Sequence, residues 1–303
     1  MRPEARMTLQ ERQTWLLFGF CSLGAVLTGG WVAAVSGIAV QPLVLNGVAW
    51  TVGAALAFGV TRIGARWTVM LLGLAVAGLL FSLVSAGLSG VHRWVAIGPL
   101  RMNAAELVLP LALASSAGLD RSSLLRLLLP VAATIVAALQ PDASQAVAAA
   151  AGGVVVLLAS SRPAVLRVLL ALVSGGSVIV AVLRPDPLDP VVQVEGIVRL
   201  AAGVSPVVAC LGVACIAGSV AAPLLLARDT RSSLRDAALS LTAYSALAAL
   251  AAAVGAFPVP LMGIAVSPIL GAWLGLGGLL RVAATSQRSD VANQLGDAFT
   301  RAG

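Results

Sequence analysis

The sequence has no lysine, one histidine, one tyrosine and three cysteines in 303 residues. With only His92, a histidine-built metal centre is excluded, and a Ser-His-Asp triad would have to use a histidine with no nucleophile elbow around it. There is no Walker loop and no HExxH motif. Cys21, Cys210 and Cys215 all fall inside apolar runs, at no metal-ligand spacing. They read as small buried hydrophobes and imply no disulfide framework. Charge is scarce as well: 10% of residues, against about 25% in soluble domains. Together with a hydrophobic content of 59%, this excludes an ordinary soluble domain.

What is present is long apolar runs built from Ala, Leu, Val and Gly. Small residues let helix backbones approach closely in lipid, and continuous runs fit helices rather than the short alternating strands of a barrel. The reading is an all-α, polytopic membrane bundle of ten spans, at roughly 15–36, 43–60, 67–87, 104–118, 123–139, 144–160, 163–183, 204–227, 237–257 and 259–280. The first run is too long for a signal-peptide core and reads as an uncleaved span. Residues 1–14 form a cytoplasmic N-terminal segment, 15–281 one transmembrane domain, and 282–303 a polar cytoplasmic tail.

All 19 basic residues are arginine. Ten spans place fifteen of them (2, 6, 12, 62, 66, 121, 126, 162, 167, 228, 231, 235, 281, 288 and 301) on one side, leaving Arg93, Arg101, Arg184 and Arg199 on the other. The positive-inside rule makes the fifteen-arginine side, which holds both termini, cytoplasmic. The net charge of +7 is therefore topological and does not call for nucleic acid.

Polar chemistry concentrates in a few outer segments. "HRWVAIGPLRMNAAE" (residues 92–106) carries Arg93, Trp94 and Arg101, with Glu106 at the start of the fourth span. There an acid suits the helix dipole or faces a cavity. "LQPDASQ" puts Gln140 and Asp142 at the outer end of span five, in a Pro-Asp turn or a site. "RPDPLDPVVQVEGIVRLAAG", from Arg184, stops span seven and predicts a short interfacial helix over 191–202. "GAFPVPLMGIAVSPILG", from Gly255, breaks or kinks the outer end of the last span.

In order and spacing these segments resemble the SEDS family (shape, elongation, division and sporulation). Its run R-R-W-I/V-x-x-G-x-x-x-x-Q-P-S-E-x-x-K aligns without a gap on Arg93, Trp94, Val95, Gly98 and Glu106. His92 stands for the first arginine, Asn103 for the glutamine, Ala104 and Ala105 for Pro-Ser, and Leu109 for the lysine. Its Q-P-D-x-G-T aligns on Gln140, Pro141 and Asp142, with Ser144 and Gln145 in place of Gly-Thr. The proline-rich outer part of the last span is similar through Pro258, Val259, Pro260 and Leu261.

The resemblance implies a bacterial inner-membrane protein of peptidoglycan synthesis, cell shape or cell division. Its ligand would be a polyprenyl-diphosphate-linked precursor, lipid II, and its partners a class B penicillin-binding protein or other division and elongation proteins. The implied binding residues are Arg93, Trp94, Arg101, Glu106, Gln140, Asp142 and Arg199. No cofactor is required by the sequence; a divalent cation is compatible with such a site. The family's candidate catalytic aspartate falls at Ser205, and serine lacks comparable basicity. The first expectation is therefore a precursor-binding protein without catalysis. Its alternatives are a glycosyltransferase whose base has moved to Asp186 or Glu195, and a lipid flippase or secondary transporter.

Overall fold

In lipid a backbone must satisfy its own hydrogen bonds, and these apolar runs do so as helices. The computed structural model describes residues 7–98, 100–184 and 186–302, without the side chains of Ala65, Ile97 and residues 289–302. Arg2, Arg6, Pro99, Pro185 and the side chain of Arg301 lie outside that description.

The ten expected spans are ten helices: α1 (Leu9–Val35), α2 (Val40–Arg62), α3 (Thr68–Val84), α4 (Ala104–Ala117), α5 (Leu124–Leu139), α6 (Ala143–Ala159), α7 (Ala164–Leu183), α9 (Pro206–Ala221), α10 (Ser232–Val254) and α11 (Val266–Ala302). The short α8 (Ile197–Val204) precedes α9, and 3-10 turns over Ala222–Arg228 extend α9. Six of the ten are long and apolar enough to cross a membrane, while α3 to α6 have 14–17 residues each.

The last helix runs on to Ala302, past the expected end at 280 and through the expected 282–303 tail, and α10 starts at Ser232 rather than 237. Four other departures from the sequence reading have local reasons. α1 starts six residues before the expected 15 because Thr8 and Glu11 form a capping box. The last span starts at Val266 rather than 259. Pro258 and Pro260 cannot donate, and the segment instead bonds sideways: the Val259 amide to Val194 O at 3.2 Å, the Ile264 amide to Gln193 O at 2.9 Å. The expected 191–202 helix begins only at Ile197, after a turn in which the Glu195 carboxylate accepts the Val191 amide at 2.7 Å. Ile197 and Ala201 of α8 are fully buried, so this helix also packs into the bundle. Finally, residues 94–103, read from the sequence only as a polar outer segment, have regular structure. They form an antiparallel hairpin, β1 (Trp94–Ile97) with β2 (Leu100–Asn103), pairing Trp94 with Asn103 and Ile97 with Leu100. Gly98 turns it at φ +61°, a left-handed conformation that favours glycine.

The core centres on α11, which packs on α4, α2 and α10. Its Trp273 is 1% exposed and meets the rings of Trp15, Phe18 and Trp50 at centroid distances of 5.1, 4.9 and 5.3 Å. Where α11 crosses α4, a methyl group on Gly271 would lie 1.9 Å from the Glu106 carbonyl oxygen. That carbonyl has lost its helical partner, because Pro110 four residues on has no N–H. α1 packs on α9, α10 on α6, and α7 on α5 and α6.

At the arginine-rich end the α4–α5 loop is locked to α10. Asp236 accepts a two-pronged bond from Arg121 (3.0 and 2.9 Å) and a third from Arg126 at 2.6 Å. Arg126 is fully buried and also donates to the carbonyls of Ala117 and Leu119, closing the end of α4. Removing one partner of a buried pair strands the other charge, whereas an exposed partner is replaced by water. Asp236→Ala should therefore destabilise the protein by about 3–5 kcal/mol. Arg121→Ala, at a side chain 42% exposed, should cost under about 1 kcal/mol. Thermal unfolding in detergent should show this order.

Candidate functional site

The outer site is built on Asn103, the last residue of β2 and the N-cap of α4. Its Oδ1 accepts the amides of Ala105 (2.9 Å) and Glu106 (3.3 Å), the bonds an N-cap supplies. Its Nδ2 donates to Asp142 at 3.1 Å, and its own amide donates to Ser267 Oγ at 2.9 Å. Asp142 caps α6 in turn, accepting the Gln145 amide (3.2 Å) and the Ser144 hydroxyl (2.9 Å). Gln145 Oε1 accepts the Tyr244 hydroxyl at 2.6 Å. The outer ends of α4, α6 and α11 and the body of α10 thus meet in one buried polar network.

Above it lies a cavity of about 330 Å³. The hairpin contributes Arg93, Trp94 and Arg101 to its wall. Asn103, Glu106 and Asp142 supply the polar network below, and Glu195 comes from the loop before α8. Arg93 pairs with Asp186 at 2.7 Å and lies over the Trp94 ring at 4.6 Å. Arg101 is exposed and has no ion-pair partner among the described residues. Burial pushes the Glu195 carboxyl above its ordinary value, the Val191 amide pulling the other way.

Glu106 lines two spaces at once. It is 6% exposed and borders both the outer cavity and a smaller pocket of about 50 Å³ beside Pro110, Gln145 and Tyr244. A third space, an apolar groove of about 540 Å³, runs between α9 and α10 along Val213, Ile216, Val220 and Leu250. Glu195 and Arg199 line it as well. Glu195 is shared with the outer cavity; Ile216, Val220 and Pro260 are shared with the inner pocket.

Of the residues singled out in the sequence, Arg93, Trp94, Arg101, Glu106, Asp142 and Glu195 come together at the outer cavity. Arg199 lies on the adjoining groove. Asp186 is engaged by Arg93 and does not line the cavity. Gln140 is fully buried and donates to Ser82 Oγ at 2.5 Å, beside the cavity rather than on it. Ser205, at the α8–α9 junction, lines none of these three spaces. Sequence reading missed Asn46, which is buried, lines the cavity and donates to Gly263 O at 3.0 Å, and it missed Tyr244. Both carried a signal: a carboxamide inside an apolar span, and the only tyrosine of the chain. Among the described residues no group of three or more His, Cys, Asp or Glu could hold a metal ion. The cations this chain itself offers at the mouth are arginines.

No family model and no curated protein matches the chain. Solved structures do. The rod shape determining protein RodA of Thermus thermophilus superimposes with a TM-score of 0.65 at 22% identity, covering 88% of this chain and 95% of that one. A point mutant of the same protein gives the same values. A chain from a peptidoglycan synthase complex that coordinates polymerization and crosslinking gives a TM-score of 0.61 at 22% identity, covering 88% and 96%. The fold is therefore RodA-like, a multi-pass membrane architecture.

The Glu195 shift has a measurable consequence. A carboxyl raised in the folded state stabilises the fold fully below its unfolded value, and this contribution is lost as pH rises through the folded value. Glu195→Gln removes the titration. From about the ordinary value of 4.5 upward, the variant should gain thermal stability relative to the parent, levelling off once Glu195 is ionised. Paired melting curves across pH 4 to 8 check this.

Proposed function

We propose that this chain is a SEDS-like protein of bacterial inner-membrane peptidoglycan synthesis that binds a polyprenyl-diphosphate-linked precursor at its outer cavity. One observation carries the reading: a polar, arginine-lined cavity and an apolar groove between two spans lie on either side of one residue, Glu195. A lipid-linked sugar diphosphate needs both. Arg101 and Arg93 face the diphosphate, since planar guanidinium groups match phosphate oxygens. Asp142 and Asn103 offer acceptor and donor groups for sugar hydroxyls. The groove along Ile216, Val220 and Leu250 takes the polyprenyl chain.

A second reading, a glycosyltransferase with a moved base, is favoured by one feature. Glu195 lies between cavity and groove, outside any ion pair among the described residues, with its proton affinity raised by burial. A base poised in that direction suits deprotonation of an acceptor hydroxyl. Asp186 suits the role less, because Arg93 already engages it. A class B penicillin-binding protein as partner is consistent with the synthase-complex neighbour.

Purified protein in nanodiscs should bind labelled lipid II saturably. Arg93→Ala with Arg101→Ala should weaken binding at least about tenfold, and Glu195→Gln should leave it nearly unchanged. Glycan chains that vanish in Glu195→Gln would establish the enzyme; binding without chains, the binder. Absence of both would overturn the proposal.

A further inference from the structure

At the arginine-rich face the start of α1, the end of α2 and the body of α11 leave a crevice of about 340 Å³ between them. It shares no residue with the outer cavity. The start of α1 contributes Met7 and Glu11 to its wall, α2 Phe58 and Arg62, and α11 Gln287 and Arg288. A side-chain bond ties α11 to α1 here: Gln287 Nε2 donates to Glu11 Oε1 at 2.6 Å.

The positive charge of this crevice is unanswered. Arg62 and Arg288 are both exposed, and neither makes an ion pair or a side-chain hydrogen bond among the described residues. An acid is at hand, since Glu11 lines the same space, but its oxygens are taken. Oε2 accepts the Thr8 amide at 3.1 Å and Oε1 accepts from Gln287. Glu11 is buried in the first turn of α1, where the helix dipole favours an acid, and it serves that helix end rather than the arginines. The carbonyls just beyond α2 would repel an anion if bare. Those of Ile63 and Gly64 accept from Arg281 at 3.0 Å each.

The apolar groups beside the two arginines are just as open. Met7 and Phe58 are large, exposed hydrophobic side chains. The Arg62 guanidinium lies over the Phe58 ring, 4.1 Å from its centroid. That contact places the cation and leaves its N–H groups without an acceptor. The level of the crevice matters too. Arg62 is the last residue of α2, and Met7 stands just before α1, both helices long and apolar enough to cross a membrane. Two spans end here, at the height where the hydrocarbon gives way to lipid phosphates. Water alone satisfies a guanidinium and does not suit Met7 and Phe58. An amphipathic anion satisfies all four.

We infer that the crevice binds one anionic phospholipid from the leaflet at this face, independently of the function proposed for the outer cavity. Its phosphate faces Arg62 and Arg288, whose planar guanidinium groups match phosphate oxygens. The glycerol end of its acyl chains lies against Met7 and Phe58. A zwitterionic lipid is disfavoured, because it brings a cation to a wall whose acid, Glu11, is already bonded.

The test is native mass spectrometry of the full chain in detergent, titrated with phosphatidylglycerol or with phosphatidylcholine. The crevice variant is Arg62→Gln with Arg288→Gln, two exposed side chains on which no hydrogen bond of the fold depends among the described residues. Its control is Arg228→Gln with Arg235→Gln, which removes the same charge from exposed arginines that do not line the crevice. The parent should bind one phosphatidylglycerol about tenfold more tightly than phosphatidylcholine, a preference that falls to about twofold or less in the crevice variant and persists in the control. Melting in the same detergent gives a second readout: phosphatidylglycerol should raise the Tm of parent and control and leave that of the crevice variant unchanged. If the crevice variant does not fold, Arg288→Gln against Arg235→Gln decides. Equal loss in crevice variant and control would mean only a diffuse attraction of arginines for anionic head groups, and overturns the site. A parent that binds the two lipids alike overturns it as well.

Discussion

The outer half of this protein depends on one carboxamide. Asn103 closes the N-terminus of α4, holds the aspartate that closes α6, and binds the first turn of α11 through Ser267. Helix ends need partners for their open amides, and in a membrane there is little water to supply them. One side chain that supplies several elements also fixes their relative height. The hairpin carrying Arg93 and Arg101 leads directly into Asn103, so the position of the arginines follows from the same node.

Much of the architecture was legible because its signals are local. An apolar run of sufficient length is a span in almost any context, and arginine counts on alternate loops test the number of spans at once. The site was legible where residue type and burial conflict: Glu106 and Asp142 are acids in a membrane and had to face something polar. The hairpin was not legible. Its eight paired residues are too few for a periodic pattern, and its stability comes from pairing across the Gly98 turn. The start of α11 was misplaced for a related reason. Residues 258–265 are apolar enough for a span, yet the amides of Val259 and Ile264 bond to the 193–194 segment, a contact far away in sequence. Asn46 was passed over because a single amide in an apolar run gives no hint of its partner, Gly263, 217 positions on.

The two faces of the bundle use the same charged residue differently. At the outer cavity Arg101 is open to a ligand, whereas at the arginine-rich end Arg126 and Arg281 close helix ends by donating to backbone carbonyls. A guanidinium can do both, since it offers five donors in a fixed plane and keeps its charge when buried. An ammonium offers a single point and loses its charge more readily, and a chain whose cations must bridge several carbonyls in a dry setting gains little from lysine.

The short helices α3, α4, α5 and α6 pack on one another. At about 1.5 Å per residue, α3 and α5 are about 24–26 Å long, less than the roughly 30 Å of bilayer hydrocarbon. A bilayer accommodates so short a stretch by thinning, by snorkelling of flanking side chains or by bringing chains together. Where the bilayer answers by thinning, the membrane is dented along these helices. A lipid drifting along that flank brings its head group nearer the level of Asn103 and Asp142, and reaches the polar node with less of a climb out of the hydrocarbon.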